Sequence, residues 1–382
     1  MRVGFAGTPV RAFKALWTDR SAHRPEDLIE YSSSLRLRLL GFSEETLGLT
    51  ARDLAEVDSM GLTAKQASHF RHLAQLAKVG GVRLVVSSSP RTILTAPDAQ
   101  VRARSTAELS GLWTVAKALE CVLLTIFPGY LHGSQQDSLE RLTDSIVGLD
   151  RSVGDSLALG VELHGRGAGT AEVLERLCAD TGAVPVVNVA ECIPRSERSE
   201  FAAKFASLLE FAERHSVQVD GQSCVWIRYR ALNRRVPVGV SEGWPDFRMV
   251  MREIFRFESS GGPEACLLLD SPRREWDAVL VSSCYRMLES RDGRVDSLSA
   301  EELVKSGSPR VVDVGCQVLL RDVSRSQQLR YEIVEPGLAD PFSDRISYES
   351  PIGRSLLGKE SGSLIEIAAP GGSYVYEVID IR

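Results

Sequence analysis

Short apolar runs alternate with longer amphipathic stretches over the first three-quarters of the chain. Arg2–Ala6, Leu35–Leu40, Val82–Ser87, Val122–Phe127, Leu157–Leu163, Pro185–Ala190, Cys224–Tyr229 and Ala265–Asp270 read as buried strands. Between them, Ala51–Ser59, Ala64–Lys78, Val101–Ala118, Ser138–Leu149, Thr170–Asp180, Ser199–Arg214 and Phe247–Phe255 are spaced as helices, and Glu275–Glu289 follows the last strand. Thr170 and Ser199 are expected N-caps, and Gly80-Gly81 an expected helix stop. Apolar strands alternating with helices predict parallel βα units, because the crossover helices cover both faces of such a sheet. Eight units in about 280 residues fit a (β/α)8 barrel better than an open, doubly wound sheet, although periodicity alone does not count closure.

The pattern changes near Ser290. Ser290-Arg291-Asp292-Gly293-Arg294 is polar, and Ser306-Gly307-Ser308-Pro309 breaks any regular element. Beyond Val311 come shorter strands, Gln317–Arg321, Leu329–Val334, Ile346–Ser347, Leu364–Ile367 and Tyr374–Ile379, with one short helix at Gly353–Leu357. The expected organisation is an α/β barrel over residues 1–285, a linker over 286–310 and a small α+β domain over 311–382 with a mostly antiparallel sheet.

Composition narrows the class. The 382 residues are 43% hydrophobic and 25% charged, which supplies a sizeable core. A net charge of −6 argues against a protein that coats nucleic acid through bulk charge, and leaves room for a local basic groove. The seven Cys are dispersed, with no CxxC pair, as expected for reduced thiols in the cytoplasm. Met1-Arg2-Val3-Gly4-Phe5 reads as a first strand and not as a signal peptide. No apolar run reaches the roughly 18 residues of a membrane span, so no membrane partner is expected.

The C-terminal motifs carry a resemblance. Ile346-Ser347-Tyr348-Glu349-Ser350-Pro351-Ile352-Gly353-Arg354-Ser355-Leu356-Leu357-Gly358-Lys359 is one. Ala369-Pro370-Gly371-Gly372, Tyr376-Glu377-Val378, Val314–Val318 and Tyr331–Val334 are others in the same register. Together they resemble the C-terminal domain of the Gre transcript-cleavage factors. The resemblance implies an FKBP-like fold that docks on bacterial RNA polymerase, with Glu349, Ser350 and Pro351 at the docking loop. Turn and cap chemistry alone would also ask for Pro351, Gly358 and Gly371-Gly372. The acidic N-terminal hairpin of those factors has no room in the linker, where Asp292, Asp296, Glu301 and Glu302 read as solvated charges.

Met1–Pro9, Phe127-Pro128-Gly129-Tyr130, Gly160-Val161-Glu162, Pro185–Glu191, Gly243–Phe247 and Asp270-Ser271-Pro272 with Asp277-Ala278 resemble the endonuclease IV-like (xylose-isomerase-like) TIM barrels, in that family's order. Those enzymes hydrolyse DNA backbone at abasic sites with a zinc cluster held by His, Asp and Glu at the strand ends. Carried over residue by residue, Glu162 is kept and the final Glu is shortened to Asp270. Ser88, Phe127, Arg228 and Trp244 stand where His is expected, and Asn188 and Glu191 replace an Asp and a His. Phe and Trp offer no ligand, and Arg opposes a cation, so the cluster is not expected to form.

The remaining barrel-mouth cluster is Glu162, His164, Glu191, Arg228 and Asp270, with His132 in the loop after the fourth strand. Either Glu162, Glu191 and Asp270 hold one divalent metal, or Arg228 and Arg230 neutralise the carboxylates as an ion-pair network. Arg228, Arg230, Arg234 and Arg235, interleaved with Trp226 and Tyr229, form a candidate nucleic-acid contact. Gly165-Arg166-Gly167-Ala168-Gly169 is either a phosphate cradle or a flexible βα loop. The leading expectation is a non-catalytic regulator on RNA polymerase, without cofactor and with DNA as a further partner. The alternatives are a hydrolase or isomerase with a rearranged site, acting on nucleic acid or a phosphorylated or sugar substrate, and a nucleic-acid-binding module.

Overall fold

The computed structural model describes residues 1–6, 24–34, 37–129, 132–149, 157–165, 169–233, 236–238, 243–270, 277, 280–281, 284–285, 288, 312, 315–322, 328–334, 336–340, 343–357, 359, 363–369 and 372–381. The described residues up to Leu288 form one compact unit, and those from Val312 onward form a second.

In the first unit the eight expected strands are all present: β1 (Arg2–Ala6), β2 (Leu39–Ser43), β3 (Arg83–Ser87), β4 (Leu123–Ile126), β5 (Ala158–Leu163), β6 (Val184–Asn188), β8 (Gln222–Tyr229) and β11 (Glu264–Leu269). They pair in parallel in chain order. β11 pairs with both β8, through Cys266 and Trp226, and β1, through Cys266 and Arg2, which closes the ring. The helices are α1 (Pro25–Ser34), α2 (Ala51–Met60), α3 (Ala64–Val79), α4 (Ala99–Ala118), α5 (Gln135–Val147), α6 (Ala171–Thr181), the single turn α7 (Val189–Cys192), α8 (Phe201–Arg214) and α9 (Phe247–Ser259). Asp277, Leu280, Val281, Cys284, Tyr285 and Leu288 are also helical and buried. Among the described residues no helix is long and apolar enough to cross a membrane.

Local chemistry sets most boundaries. Thr170 caps α6, its hydroxyl accepting from Val173 N, and Gly80 ends α3 by donating to Leu76 O. Ser199 is not an N-cap. It lies in a 3-10 stretch, Arg195–Glu200, that runs into α8 at Glu200 with no side-chain cap. The second strand begins later than expected, at Leu39; just ahead of it, Leu37 N donates back to Ser32 O at the end of α1. The sixth strand stops at Asn188, where the backbone turns into α7. Three short strands escape the periodicity. β7 (Val217–Val219) is antiparallel to β8 across Asp220-Gly221, both with positive φ (55° and 78°), and β9 (Ala231–Asn233) pairs with β10 (Val236–Val238).

Strand alternation fills the barrel in layers. Leu39, Val85, Leu123, Val186, Trp226 and Leu268 pack together with Cys224 and Cys266. Gly160 belongs to that layer, and a Cβ there would lie 2.7 Å from Val186 Cγ2 and 3.1 Å from Leu123 Cδ1, so only glycine leaves room. Two residues further along the same strands stand Ser87, Thr125, Glu162, Asn188, Arg228 and Asp270, at the C-terminal mouth of the barrel.

The second unit is a five-stranded sheet in the order β14-β13-β12-β16-β15. Its strands are β12 (Gln317–Asp322), β13 (Gln328–Val334), β14 (Arg345–Ser347), β15 (Leu364–Ala369) and β16 (Gly372–Ile381). All neighbours are antiparallel except β13 and β14. The short helix α10 (Pro351–Leu356) contributes Leu356 to a core with Val318, Leu320, Ile333, Tyr348 and Val378.

Candidate functional site

The mouth of the barrel encloses a cavity of about 520 Å³. Glu162, His164, Glu191, Arg228, Arg230 and Asp270 all line it, as do Ser88, Phe127 and Asn188, so the structure brings the expected barrel-mouth cluster together. Arg228 sits at its centre. Its Nη1 lies 2.7 Å from Glu162 Oε1, and its Nη2 donates to Ser87 Oγ at 2.8 Å and to Thr125 Oγ1 at 3.4 Å. Thr125 Oγ1 in turn donates to Ser87 Oγ at 2.8 Å. The Arg228 and Glu162 side chains are only 12% and 11% exposed, so the pair is largely desolvated. Arg230 pairs with Asp270 beside it.

His164 is 3% exposed and stacks on Phe127, ring centroids 4.9 Å apart. The amides of His164 and Gly165 both donate to Gly169 O, and a Cβ on Gly169 would come within 2.5 Å of His164 Nε2. That tight loop therefore packs on the imidazole; its Arg166, Gly167 and Ala168 lie outside the described residues. His132 does not join the cavity. Its amide donates to Ser138 Oγ, and its carbonyl accepts from Arg141. Trp244 also stays away from the cavity, donating from Nε1 to Ile193 O at 2.8 Å and meeting the Phe201 ring edge-on.

The residues present do not fit a zinc cluster. Among the described residues no three His, Cys, Asp or Glu side chains come together as a metal-binding group, and Glu162, Glu191 and Asp270 share the cavity without forming such a set. Two of those carboxylates already face a guanidinium, whose charge opposes a metal in the same place.

The basic stretch does not present aromatic platforms. Trp226 is 1% exposed inside the barrel, and Tyr229 is fully buried on the other face of β8, donating to Pro245 O. Base stacking needs an accessible ring, so neither residue serves it. Arg234 and Arg235 lie outside the described residues.

Sequence reasoning missed Ser87 and Thr125, whose hydroxyls complete the Arg228 network, and Glu44, which accepts from Ser89 N at 2.9 Å on the cavity wall. Burial pushes the Glu44 carboxyl above its usual range; nearby Glu108 and Glu45 add to this, and the Ser89 amide works against it. A raised folded pKa means that the folded state holds this proton more tightly than the unfolded chain. The Glu44 contribution to stability is therefore present at low pH and is lost as pH rises from the ordinary Glu range through the raised value. In urea denaturation across pH 4 to 8, the stability of the wild type minus that of Glu44→Gln is expected to fall as pH rises. A difference that does not change with pH would reject the assignment.

In the second unit, Ser350 caps α10, its Oγ accepting from Gly353 N at 3.0 Å, and Pro351 opens the helix at an exposed position. Glu349 is exposed, its amide donating to Ser347 Oγ. The three expected docking residues thus meet at the start of α10, with Glu349 and Pro351 exposed on either side of the half-buried Ser350 cap.

Comparison with known proteins separates the two units. Residues 307–382 match the family model "Transcription elongation factor, GreA/GreB, C-term". The transcription elongation factor GreA of Thermosipho africanus is 32% identical over 117 residues, covering 28% of this chain and 75% of that protein. GreA of Clostridium botulinum strain Hall is 37% identical over 99 residues, covering 24% of this chain and 61% of that protein. By fold, the chain is similar to endonuclease IV from Thermus thermophilus, with TM-score 0.53 and 15% identity over 76% of this chain and 99% of that one. It is similar to the crystal structure of SacUVDE with TM-score 0.53 and 11% identity, over 77% of this chain and 100% of that one. Through its C-terminal residues the chain belongs to the GreA/GreB transcription elongation factor family, and ahead of them it carries a closed (β/α)8 barrel of the endonuclease IV-like fold.

Proposed function

We propose that this protein is a non-catalytic regulator of transcription that docks on bacterial RNA polymerase through its GreA/GreB-type domain. The observation that carries the reading is the family match over residues 307–382, on a domain whose α10 starts at Ser350 between the exposed Glu349 and Pro351. The barrel mouth supports the non-catalytic part: Arg228 and Arg230 face Glu162 and Asp270 where a hydrolytic cluster would need ligands free for metal. DNA is then reached through the polymerase.

Core RNA polymerase passed over the immobilised full chain tests the docking. It is expected to be retained and to be released by excess GreA, with no stimulation of transcript cleavage. Glu349→Lys reverses an exposed charge and is expected to weaken retention about tenfold, or about 1.4 kcal/mol. Polymerase that flows through, or that GreA does not displace, would sink the reading.

A further inference from the structure

Three hydrogen-bonding atoms in the wall of the barrel-mouth cavity are unused. Asn188 Oδ1, Arg228 Nε and Arg230 Nε are each buried without a hydrogen-bond partner among the described residues, and all three side chains line the cavity. Asn188 is 3% exposed and is the register partner of Arg228 on the adjoining strand. Arg230 follows two residues after Arg228, on the same face. One acceptor and two donors thus stand together on one side of the mouth. Trp226 Nε1 is orphaned as well, but it belongs to the packed layer below and does not line the cavity. His164 is engaged by Phe127 and by the Gly169 turn. Folded proteins leave few buried polar groups unpaired, and convergent ones in a cavity mark where the atoms of a ligand complete the bonding. The cavity, at about 520 Å³, falls within the roughly 300–1,000 Å³ of ligand pockets, and it lies at the C-terminal strand ends where (β/α)8 barrels place their ligands.

The complement of this set is a molecule with one donor and two acceptors. An amine cation offers donors alone: it would satisfy Asn188 and turn N–H groups toward the two Nε–H groups. An anion offers acceptors alone. It would satisfy the guanidiniums, but it would set its charge beside Glu162 and Asp270, which those guanidiniums already face, and its lone pairs against Asn188 Oδ1. A neutral cyclic imide, an N–H held between two carbonyls, carries the one donor and both acceptors on a single edge. Its flat ring suits the ring surface that Phe42 and Phe127 add to the same wall.

We propose that the barrel mouth binds a small neutral cyclic imide, its N–H donating to Asn188 Oδ1 and its carbonyls accepting from Arg228 Nε and Arg230 Nε. The proposal goes beyond polymerase docking and stands without it.

Ligand-observed NMR on the full chain tests this with probes of similar size: glutarimide, N-methylglutarimide, piperidine and glutarate. Glutarimide is expected to bind at millimolar concentration or below. Its N-methyl form, which has lost the N–H, is expected to bind about tenfold more weakly. Neither piperidine, a cation with donors alone, nor glutarate, a dianion with acceptors alone, is expected to displace glutarimide. Asn188→Leu removes the acceptor, and Arg230→Lys keeps the charge while losing the Nε–H. Each is expected to weaken glutarimide about fivefold or more while the barrel still unfolds cooperatively in urea. Arg52→Lys, at an exposed position on α2, is expected to leave binding unchanged. Absence of glutarimide binding, equal binding of the N-methyl form, or displacement by piperidine or glutarate would each overturn the proposal. So would wild-type affinity in a folded Asn188→Leu or Arg230→Lys, or a loss in Arg52→Lys as large as in Arg230→Lys.

Discussion

Replacing Arg228 with Met is expected to destabilise the barrel by about 3–5 kcal/mol, the scale of a buried pair broken from one side. The cost comes from what stays behind. Glu162, 11% exposed, would keep its charge in the barrel mouth with its guanidinium partner gone, and the hydroxyls of Ser87 and Thr125 would lose the donor that spans them. Adding Glu162→Leu to Arg228→Met is expected to restore most of the loss, because removing both ends of a buried pair leaves no bare charge. Tryptophan fluorescence during urea unfolding reports on the first unit, where Trp113, Trp226 and Trp244 are buried. A single-variant cost under about 1 kcal/mol would mean that the pair is solvated like a surface bridge. A double variant less stable than the single would mean that Glu162 has other essential partners.

This pair was half legible in the sequence. Period-2 alternation along the strands puts Glu162 and Arg228 on the inward face, and the same alternation separates Trp226 from Tyr229. Ser87 and Thr125 gave no signal, because a hydroxyl residue closing an apolar strand looks like ordinary strand composition. Glu44 sits in a turn after β2, and its carboxylate accepts from the amide of Ser89, in the loop after β3, where both line the cavity. The basic stretch misled for a related reason. Spacing reveals which residues share a face; whether that face meets solvent or core is decided by ring closure, which depends on β11 pairing on both of its sides.

The strands themselves were legible because each is apolar on both faces, the mark of a parallel sheet under helices. Their ends were less so. Ser199 has the right chemistry for a cap, yet the chain approaches α8 through a 3-10 stretch that absorbs it. Asp220-Gly221 is the familiar signal of a two-residue hairpin turn, and it does join β7 to β8; the strand before it is simply too short for periodicity to detect. α1 escaped because a run of Ser closes it, although Leu28 and Ile29 are buried on its inner face.

Gly353→Val is expected to cost the second unit about 3 kcal/mol and to abolish retention of RNA polymerase. Gly353 is the third residue of α10 and is buried against β14 and the turn after it. A Cβ there would fall inside contact distance of Ser347 O and 2.8 Å from Tyr348 Cα, and both are backbone atoms that no rotamer change can clear. The helix must therefore lift off the sheet. It would take Leu356 out of the core and, at its other end, displace the Ser350 cap and Pro351. Limited proteolysis is expected to cut the second unit of the variant while tryptophan unfolding of the barrel stays at the wild-type midpoint. Comparison with Glu349→Lys then separates shape from charge: Glu349→Lys is expected to resist protease and still bind polymerase poorly, whereas Gly353→Val fails both tests. Retention of polymerase by a protease-sensitive Gly353→Val would place the contact elsewhere on the chain, since α10 could not be presenting it.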